Sequence, residues 1–212
     1  PSQVLEATDG KLDALFNNGA YAHPGAVEDL PTEHLRALME TNFIGWYDLT
    51  RHILPAMRAN GSGRIVNCSS VLGFVAVRFT SAYSASKFAV EGWSDALRLE
   101  LQGTGIHVSL LQPGPIRSRM LDNSRNRFLN TIDVRKSPFR ADYGREISRL
   151  SGSSKRSRFK LGPEAMVPPL VHALESPHPK ARYRITVPTR VGAWLKRVLP
   201  TRAMDRVLLR QR

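Results

Sequence analysis

Three short apolar runs, residues 12–17 (LDALFN), 64–69 (RIVNCS) and 106–112 (IHVSLLQ), alternate with long stretches of helical periodicity, and that alternation leaves few folds open. Each run is too short, and too closely bounded by turn residues, to be a helix. Residues 32–60 read as one helix with Thr32 as its N-cap and Gly61-Ser62-Gly63 as its stop. Residues 81–102 read as a second, closed by Gly103 and Gly105. Buried strands alternating with helices build a parallel sheet covered on both faces, so the expected class is α/β, doubly wound. Residues 163–176 add a helix and 182–187 a final edge strand. Residues 190–209 follow as a basic amphipathic helix, with Val191, Trp194, Leu195, Val198 and Leu199 on one side, expected to pack on the domain.

At 212 residues and 42% hydrophobic content the chain can bury a substantial core, so 1–212 is expected to form a single domain. It contains no run of eighteen apolar residues, so no spanning helix is expected. The net charge of +13 is unevenly spread: residues 1–110 carry 8 basic against 11 acidic side chains, and 111–212 carry 23 against 7. A basic half suits nucleic acid or an anionic membrane surface, but also an ordinary solvated surface. No zinc-finger spacing, aromatic RNA-binding motif or helix-turn-helix pattern accompanies the charge, so no specific nucleic-acid partner is expected. Peripheral membrane contact stays open, with packing on the domain preferred. The six histidines are scattered without metal-binding pairs, so no metal site is assigned. Cys68, the single cysteine, reads as a small core residue, and the natural compartment for such a chain is a reducing cytoplasm.

The chemistry concentrates between residues 64 and 101 (RIVNCSSVLGFVAVRFTSAYSASKFAVEGWSDALRLEL). The second apolar run ends in Ser70; thirteen residues later Tyr83 opens a helix, and Lys87 follows at i+4, on the same face. A phenol beside a fixed ammonium should have a pKa lowered from about 10 toward the working range. Such a group can exchange a proton with an alcohol or carbonyl oxygen. The Ser70 hydroxyl, at the end of the neighbouring strand, can hold that oxygen. The turn Asn17-Asn18-Gly19-Ala20 stands at the carboxyl end of the first run, where open α/β sheets bind ligands. Asn42 and Gly45 are poor helix formers in mid-pattern, an odd placement that marks a break.

Taken together, LDALFNNGA (12–20), the Asn42-Phe43-Ile44-Gly45 element, GRIVNCSS (63–70), Tyr83-Ser84-Ala85-Ser86-Lys87 and Pro113-Gly114-Pro115-Ile116-Arg117-Ser118 resemble the short-chain dehydrogenases/reductases in order and spacing. The resemblance covers nearly all of residues 12–120. More loosely, RFKLGPEAMV (158–167) and the basic tail resemble a bacterial branch related to hydroxysteroid and retinol dehydrogenases and NADP(H)-linked aldehyde reductases. The resemblance implies an NAD(P)(H)-dependent oxidoreductase interconverting a carbonyl and an alcohol, with Asn42, Ser70, Tyr83 and Lys87 as its catalytic set. Asn42 would hold a water at a helix kink and complete a proton relay to Lys87. Asn17, Asn18, Gly19, Ala20, Tyr83, Lys87, Pro113, Gly114, Ile116 and Ser118 would bind the cofactor, Ile116 covering the nicotinamide and Ser118 bonding its carboxamide. The family usually carries N-N-A-G where this chain has N-N-G-A, so a left-handed fourth position would strain Ala20.

The resemblance further implies a variable substrate lid at 119–160, and apolar aldehydes, retinoids or steroids as substrates. It implies a homodimer or homotetramer joined through the helices at 43–60 and 81–102. NADP(H) is favoured over NAD(H). The family's glycine-rich turn (T-G-x-x-x-G-x-G) has no match here, so the chain reads as N-terminally incomplete, beginning in the helix before the family's fourth strand. Two alternatives accompany this reading: an inactive fragment, or an interaction module whose basic half binds nucleic acid or membrane. A disordered basic linker is likewise an alternative to the lid.

Overall fold

The computed structural model describes residues 1–150 and 159–210. A short helix α1 (Ser2–Ala7) precedes β1 (Ala14–Asn17). Then come α2 (Thr32–Met39), a π-helical turn (Glu40–Ile44) and α3 (Gly45–Ala59), followed by β2 (Gly63–Cys68), α4 (Ser81–Glu100) and β3 (Ile106–Gln112). The remaining elements are α5 (Met120–Thr131), α6 (Arg140–Leu150), α7 (Val167–Glu175), β4 (Arg182–Arg184), α8 (Val187–Val198) and α9 (Thr201–Arg210). The four strands form one parallel sheet in the order β1-β2-β3-β4.

The central strands are buried on both faces, as parallel strands require. On one face Ile65 of β2 and Ile106 and Val108 of β3 meet Ile53 and Met57 of α3 and Leu97 of α4. On the other, Val66 and Leu111 meet Ala173 of α7 and Tyr183 of β4. Each fully buried side chain of this kind contributes about 1.5–3 kcal/mol. The α/β, doubly wound expectation is met. Gly105 is needed where α4 turns into β3: at φ +77° an added Cβ would stand 2.2 Å from the Gly61 carbonyl oxygen.

Three expectations are corrected. The helix expected at 32–60 is interrupted by the π-helical turn, which takes up Asn42 and Gly45 at the break in pattern. Thr32 is the first helical residue rather than the cap, and Pro31, at φ −58° and ψ 144°, enters the helix ahead of it. The tail is two helices, because Pro200 cannot continue α8 and holds Leu199 extended before it. On its expected inward apolar side Val191, Trp194 and Val198 are exposed and Leu195 and Leu199 half-buried, while on the opposite side Thr189 is buried and Gly192 meets Val71 and Val75.

The described part of the expected lid is folded. Residues 151–158 lie outside the described residues. Phe128 of α5, Ile132 just after it, and Tyr143 and Leu150 of α6 enclose a cluster with Ala26. The Tyr143 hydroxyl donates to Asp29 and accepts from the Ala26 N–H at 2.9 Å, while Ser137 donates to Asp29 at 2.6 Å. The rings of Phe79 and Tyr143 are 5.1 Å apart. Phe79 adopts φ +63°, a costly conformation for an aromatic residue. It is held there by this packing and by the Gly25 N–H, which donates to its carbonyl at 2.9 Å.

Candidate active site

The carboxyl end of β2 delivers Ser70, and the first turns of α4 deliver Tyr83 and Lys87. Ser70 is extended (φ −167°, ψ 164°) and caps the short helical turn that follows, its hydroxyl accepting from the Leu72 N–H at 3.1 Å. The next N–H, of Val71, donates to the Pro113 carbonyl at 2.8 Å, which ties this loop to the one leaving β3. Tyr83 and Lys87 are 7% and 1% exposed, so both heads face inward from one helix face. The Lys87 ammonium donates to the Cys68 carbonyl at 2.8 Å and lies 4.5 Å from the Trp46 ring and 5.7 Å from that of Tyr83.

Burial pulls Lys87 down to about 8, against the opposing pull of the Cys68 and Glu91 charges. Burial pushes the Tyr83 phenol above its ordinary range, the Cys68 charge adds to this, and the Ser70 hydroxyl opposes it by hydrogen bonding. The expected lowering of Tyr83 is therefore corrected. Loss of hydration of the phenolate outweighs the nearby cation, itself weakened by the same burial. The Cys68 thiol is likewise pushed up by burial, which fits a structural side chain.

Asn42, fully buried in the π-helical turn, is saturated by protein partners. Its Nδ2 donates to the Tyr21 carbonyl at 2.8 Å and to Ser86 Oγ at 3.1 Å, and its Oδ1 accepts from the Tyr21 N–H at 3.0 Å. Ser86 in turn donates to the Tyr83 carbonyl at 2.8 Å. The Asn42 side chain thus pins the loop after β1 to the Tyr83 turn, leaving its own backbone carbonyl for any role in a relay.

At the end of β1 the Asn17 side chain turns inward, donating to Asn67 Oδ1 at 2.8 Å and Thr50 Oγ1 at 3.3 Å. Asn18 and Gly19 are exposed, and the Gly19 carbonyl accepts from Trp46 Nε1 at 3.0 Å. Ala20 carries no positive φ, so the N-N-G-A order strains nothing. In the loop after β3, Pro113 and Gly114 lie beside β2 and α8. A Cβ on Gly114 would stand 2.1 Å from Thr186 Oγ1. Ile116 pairs with Leu161 in an isolated bridge, and the exposed Ser118 accepts from the Met120 N–H at 3.4 Å, at the start of α5.

Two supporting networks escaped the sequence reading. Asn67, fully buried in β2, joins Asn17 to Ser94 of α4, donating to Ser94 Oγ at 2.8 Å. Its signal was present as an amide inside an apolar run. Glu91, one turn beyond Lys87, accepts from Gln112 at 2.9 Å and Arg182 at 3.1 Å, and Arg182 also donates to Asp95 at 2.6 Å. Only the i, i+4 placement of Glu91 after Lys87 hinted at this. Nothing in the sequence marks Arg182.

Known proteins resemble this chain in sequence and fold. The family described as short chain dehydrogenase matches residues 2–128. The uncharacterized oxidoreductase YbbO of Escherichia coli (strain K12) is 40% identical over 206 residues, which is 97% of this chain and 70% of that protein's length. A crystal structure of a short-chain dehydrogenase from Streptomyces avermitilis superposes with a TM-score of 0.74 at 29% identity, covering 93% of this chain and 69% of the other. A putative NAD(P)-dependent gluconate 5-dehydrogenase from Beutenbergia cavernae, solved with bound NADP, gives 0.66 at 29% identity, over 92% and 70%.

Proposed function

The chain belongs to the short-chain dehydrogenase family, and from that membership we propose that it interconverts a carbonyl and an alcohol with a nicotinamide cofactor, Tyr83 acting as the acid/base. The observation that carries this reading is the convergence of Ser70, Tyr83 and Lys87 at the carboxyl end of β2, Tyr83 and Lys87 being buried.

The residues fit a nicotinamide nucleotide. Among the described residues the Lys87 ammonium has one hydrogen-bond acceptor, the Cys68 carbonyl, so two strong donors remain to hold ribose hydroxyls. The turn after β1 offers close approach, since nothing lies within 4 Å of where a Gly19 Cβ would stand. Ile116 and Ser118 border the same end of the sheet. A bound nicotinamide supplies or accepts the hydride. The protein's part is to place a proton. A raised phenol pKa keeps Tyr83 protonated at neutral pH, ready to donate to a developing alkoxide. Ser70 holds that oxygen, and Lys87, with its pKa near 8, favours the phenolate that results.

The structure holding NADP supports NADP(H) as the cofactor here. Apolar substrates rest on the family resemblance: the mostly apolar groove of about 370 Å³ lined by Ala26, Val27, Phe79 and Phe139, with Glu28 and Arg78, includes none of Ser70, Tyr83 and Lys87. Assembly through α3 and α4 is supported by Tyr47, Phe88 and Leu99, which remain exposed on those helices, and by Ile44, exposed at the end of the π-helical turn before α3. The test uses the full-length protein with NADPH and a medium-chain aldehyde. Aldehyde-dependent oxidation of NADPH, lost in Tyr83→Phe while the melting temperature is kept, is expected. Equal turnover by that variant would remove Tyr83 from the chemistry.

A further inference from the structure

The outward face of α8 carries Val187, Val191, Trp194 and Val198, spaced i, i+4, i+7 and i+11 along one side of the helix. They are 55%, 48%, 63% and 50% exposed, Trp194 the most of all. The opposite side of α8 satisfies the domain: Thr189 is fully buried, and Gly192 stands against Val71 and Val75. The outer stripe is therefore surplus to the fold, and eleven residues of helix extend it over roughly 16 Å.

Across the Leu199-Pro200 break, α9 buries Met204 and exposes Arg202, Arg206 and Arg210 at i, i+4 and i+8. Like charges at that spacing oppose one another and weaken a helix. Among the described residues none of these three, nor Lys196 or Arg197, is paired with a carboxylate. Residues 187–210 hold six basic side chains and one acidic. An exposed valine and tryptophan ridge on one helix, followed in the chain by a cationic row on the next, supplies the components of a surface lying in the headgroup region of a bilayer, where an indole is at home. A second copy of the chain is a poor occupant, because a two-fold contact through this corner would bring the arginine rows together.

We propose that the outer faces of α8 and α9 form a docking surface for an anionic lipid bilayer. Trp194 and the valines enter the interface, and the α9 arginines, with Lys196 and Arg197, meet lipid phosphates. The contact is peripheral, and no described helix is long and apolar enough to cross a membrane. It leaves the Ser70, Tyr83 and Lys87 end of the sheet free to act on molecules carried in or near the membrane.

The test is co-sedimentation of the full-length protein with vesicles of phosphatidylcholine alone and of equimolar phosphatidylcholine and phosphatidylglycerol. Binding to the anionic vesicles is expected, with little to the neutral ones. Each basic residue near an anionic surface contributes roughly fivefold, so Arg202→Gln/Arg206→Gln/Arg210→Gln should weaken binding roughly a hundredfold. Trp194→Ala should weaken it roughly tenfold at any salt concentration, because it removes apolar burial rather than charge. Unchanged melting temperatures would show that both variants fold. No binding to anionic vesicles, equal binding to both kinds, or indifference to Trp194→Ala would each overturn the proposal. A mass by light scattering that falls on Trp194→Ala would assign the stripe to a second copy and overturn it too.

Discussion

The Lys87 ammonium donates to the Cys68 carbonyl at 2.8 Å, which fastens the second turn of the tyrosine helix to the last residue of β2. Ser70 follows Cys68 by two residues, so the lysine fixes the distance between the two elements that carry the Ser70 and Tyr83 hydroxyls. It does so at a cost, since an ammonium 1% exposed has lost its hydration.

Lys87→Met should therefore separate function from folding. Turnover of NADPH with aldehyde should fall by roughly a hundredfold or more, the usual contribution of a positioned acid/base system. Stability should not fall with it. A lysine whose folded pKa lies below its unfolded one loses stability as pH drops through the window from 10.5 to about 8, and that loss is complete at neutrality. Removing the charge recovers up to about 3 kcal/mol, against the lost hydrogen bond. Thermal melts and kcat/KM on the same preparation check both halves; a large drop in Tm would contradict the account.

The same pKa predicts a pH profile. Above about pH 8 Lys87 loses its proton and with it the charge that favours the phenolate. Affinity for the nicotinamide cofactor and kcat/KM for reduction should decline together on that limb. A flat profile from pH 7 to 9.5 would show that the lysine titrates elsewhere.

Asn67 tests the buried amide network. In Asn67→Ala the Asn17 and Ser94 groups lose their shared partner inside the fold. An unsatisfied buried polar group costs about 1–3 kcal/mol, so the urea midpoint should fall by the equivalent of about 2–3 kcal/mol at constant m-value. A shift under a quarter of that would mean the network relaxes freely.

His23 offers an acid-stability test. It is 2% exposed, its Nε2 has no partner among the described residues, and its ring stands 4.8 Å from that of His34. Burial, then the charges of His34 and Arg127, depress it to about 4. Protonation thus favours the unfolded chain: stability is full above 6.5 and falls as pH drops toward 4, by at most about 3 kcal/mol. In His23→Leu that acid slope should be shallower. Identical slopes in chemical denaturation at pH 7, 5.5 and 4.5 would assign the acid sensitivity to other groups.

Much of the frame was legible in the sequence because strand burial and helix stops are local signals. The runs at 12–17 and 106–112 contain β1 and β3, the run at 64–69 covers β2 except Gly63, and Gly103 and Gly105 close α4 as read. The shared helix face of Tyr83 and Lys87 was legible from their i, i+4 spacing, while their part in a site came from the resemblance. What failed was non-local. The direction of the Tyr83 shift depends on how much water the fold removes, which spacing cannot report. The inward turn of Asn17 depends on Asn67, fifty residues away. The lid read as polar because its apolar residues, Phe128, Ile132, Phe139 and Tyr143, are sparse and meet across two helices. The outward stripe of α8 has the same periodicity as an inward one, and only the small residues opposite, Thr189 and Gly192, tell which side touches the domain.

The three-residue strand β4 has a consequence for how copies of this protein can meet. An open edge of a sheet is a template on which another chain can add a strand. Here the template is short, Arg182 is drawn sideways to Glu91 and Asp95, and the Arg184 carbonyl already accepts from the Arg190 guanidinium at 3.2 Å. Few backbone groups at this edge are left to recruit a stranger. The protein is thereby guarded against ribbon-like polymerisation along β4.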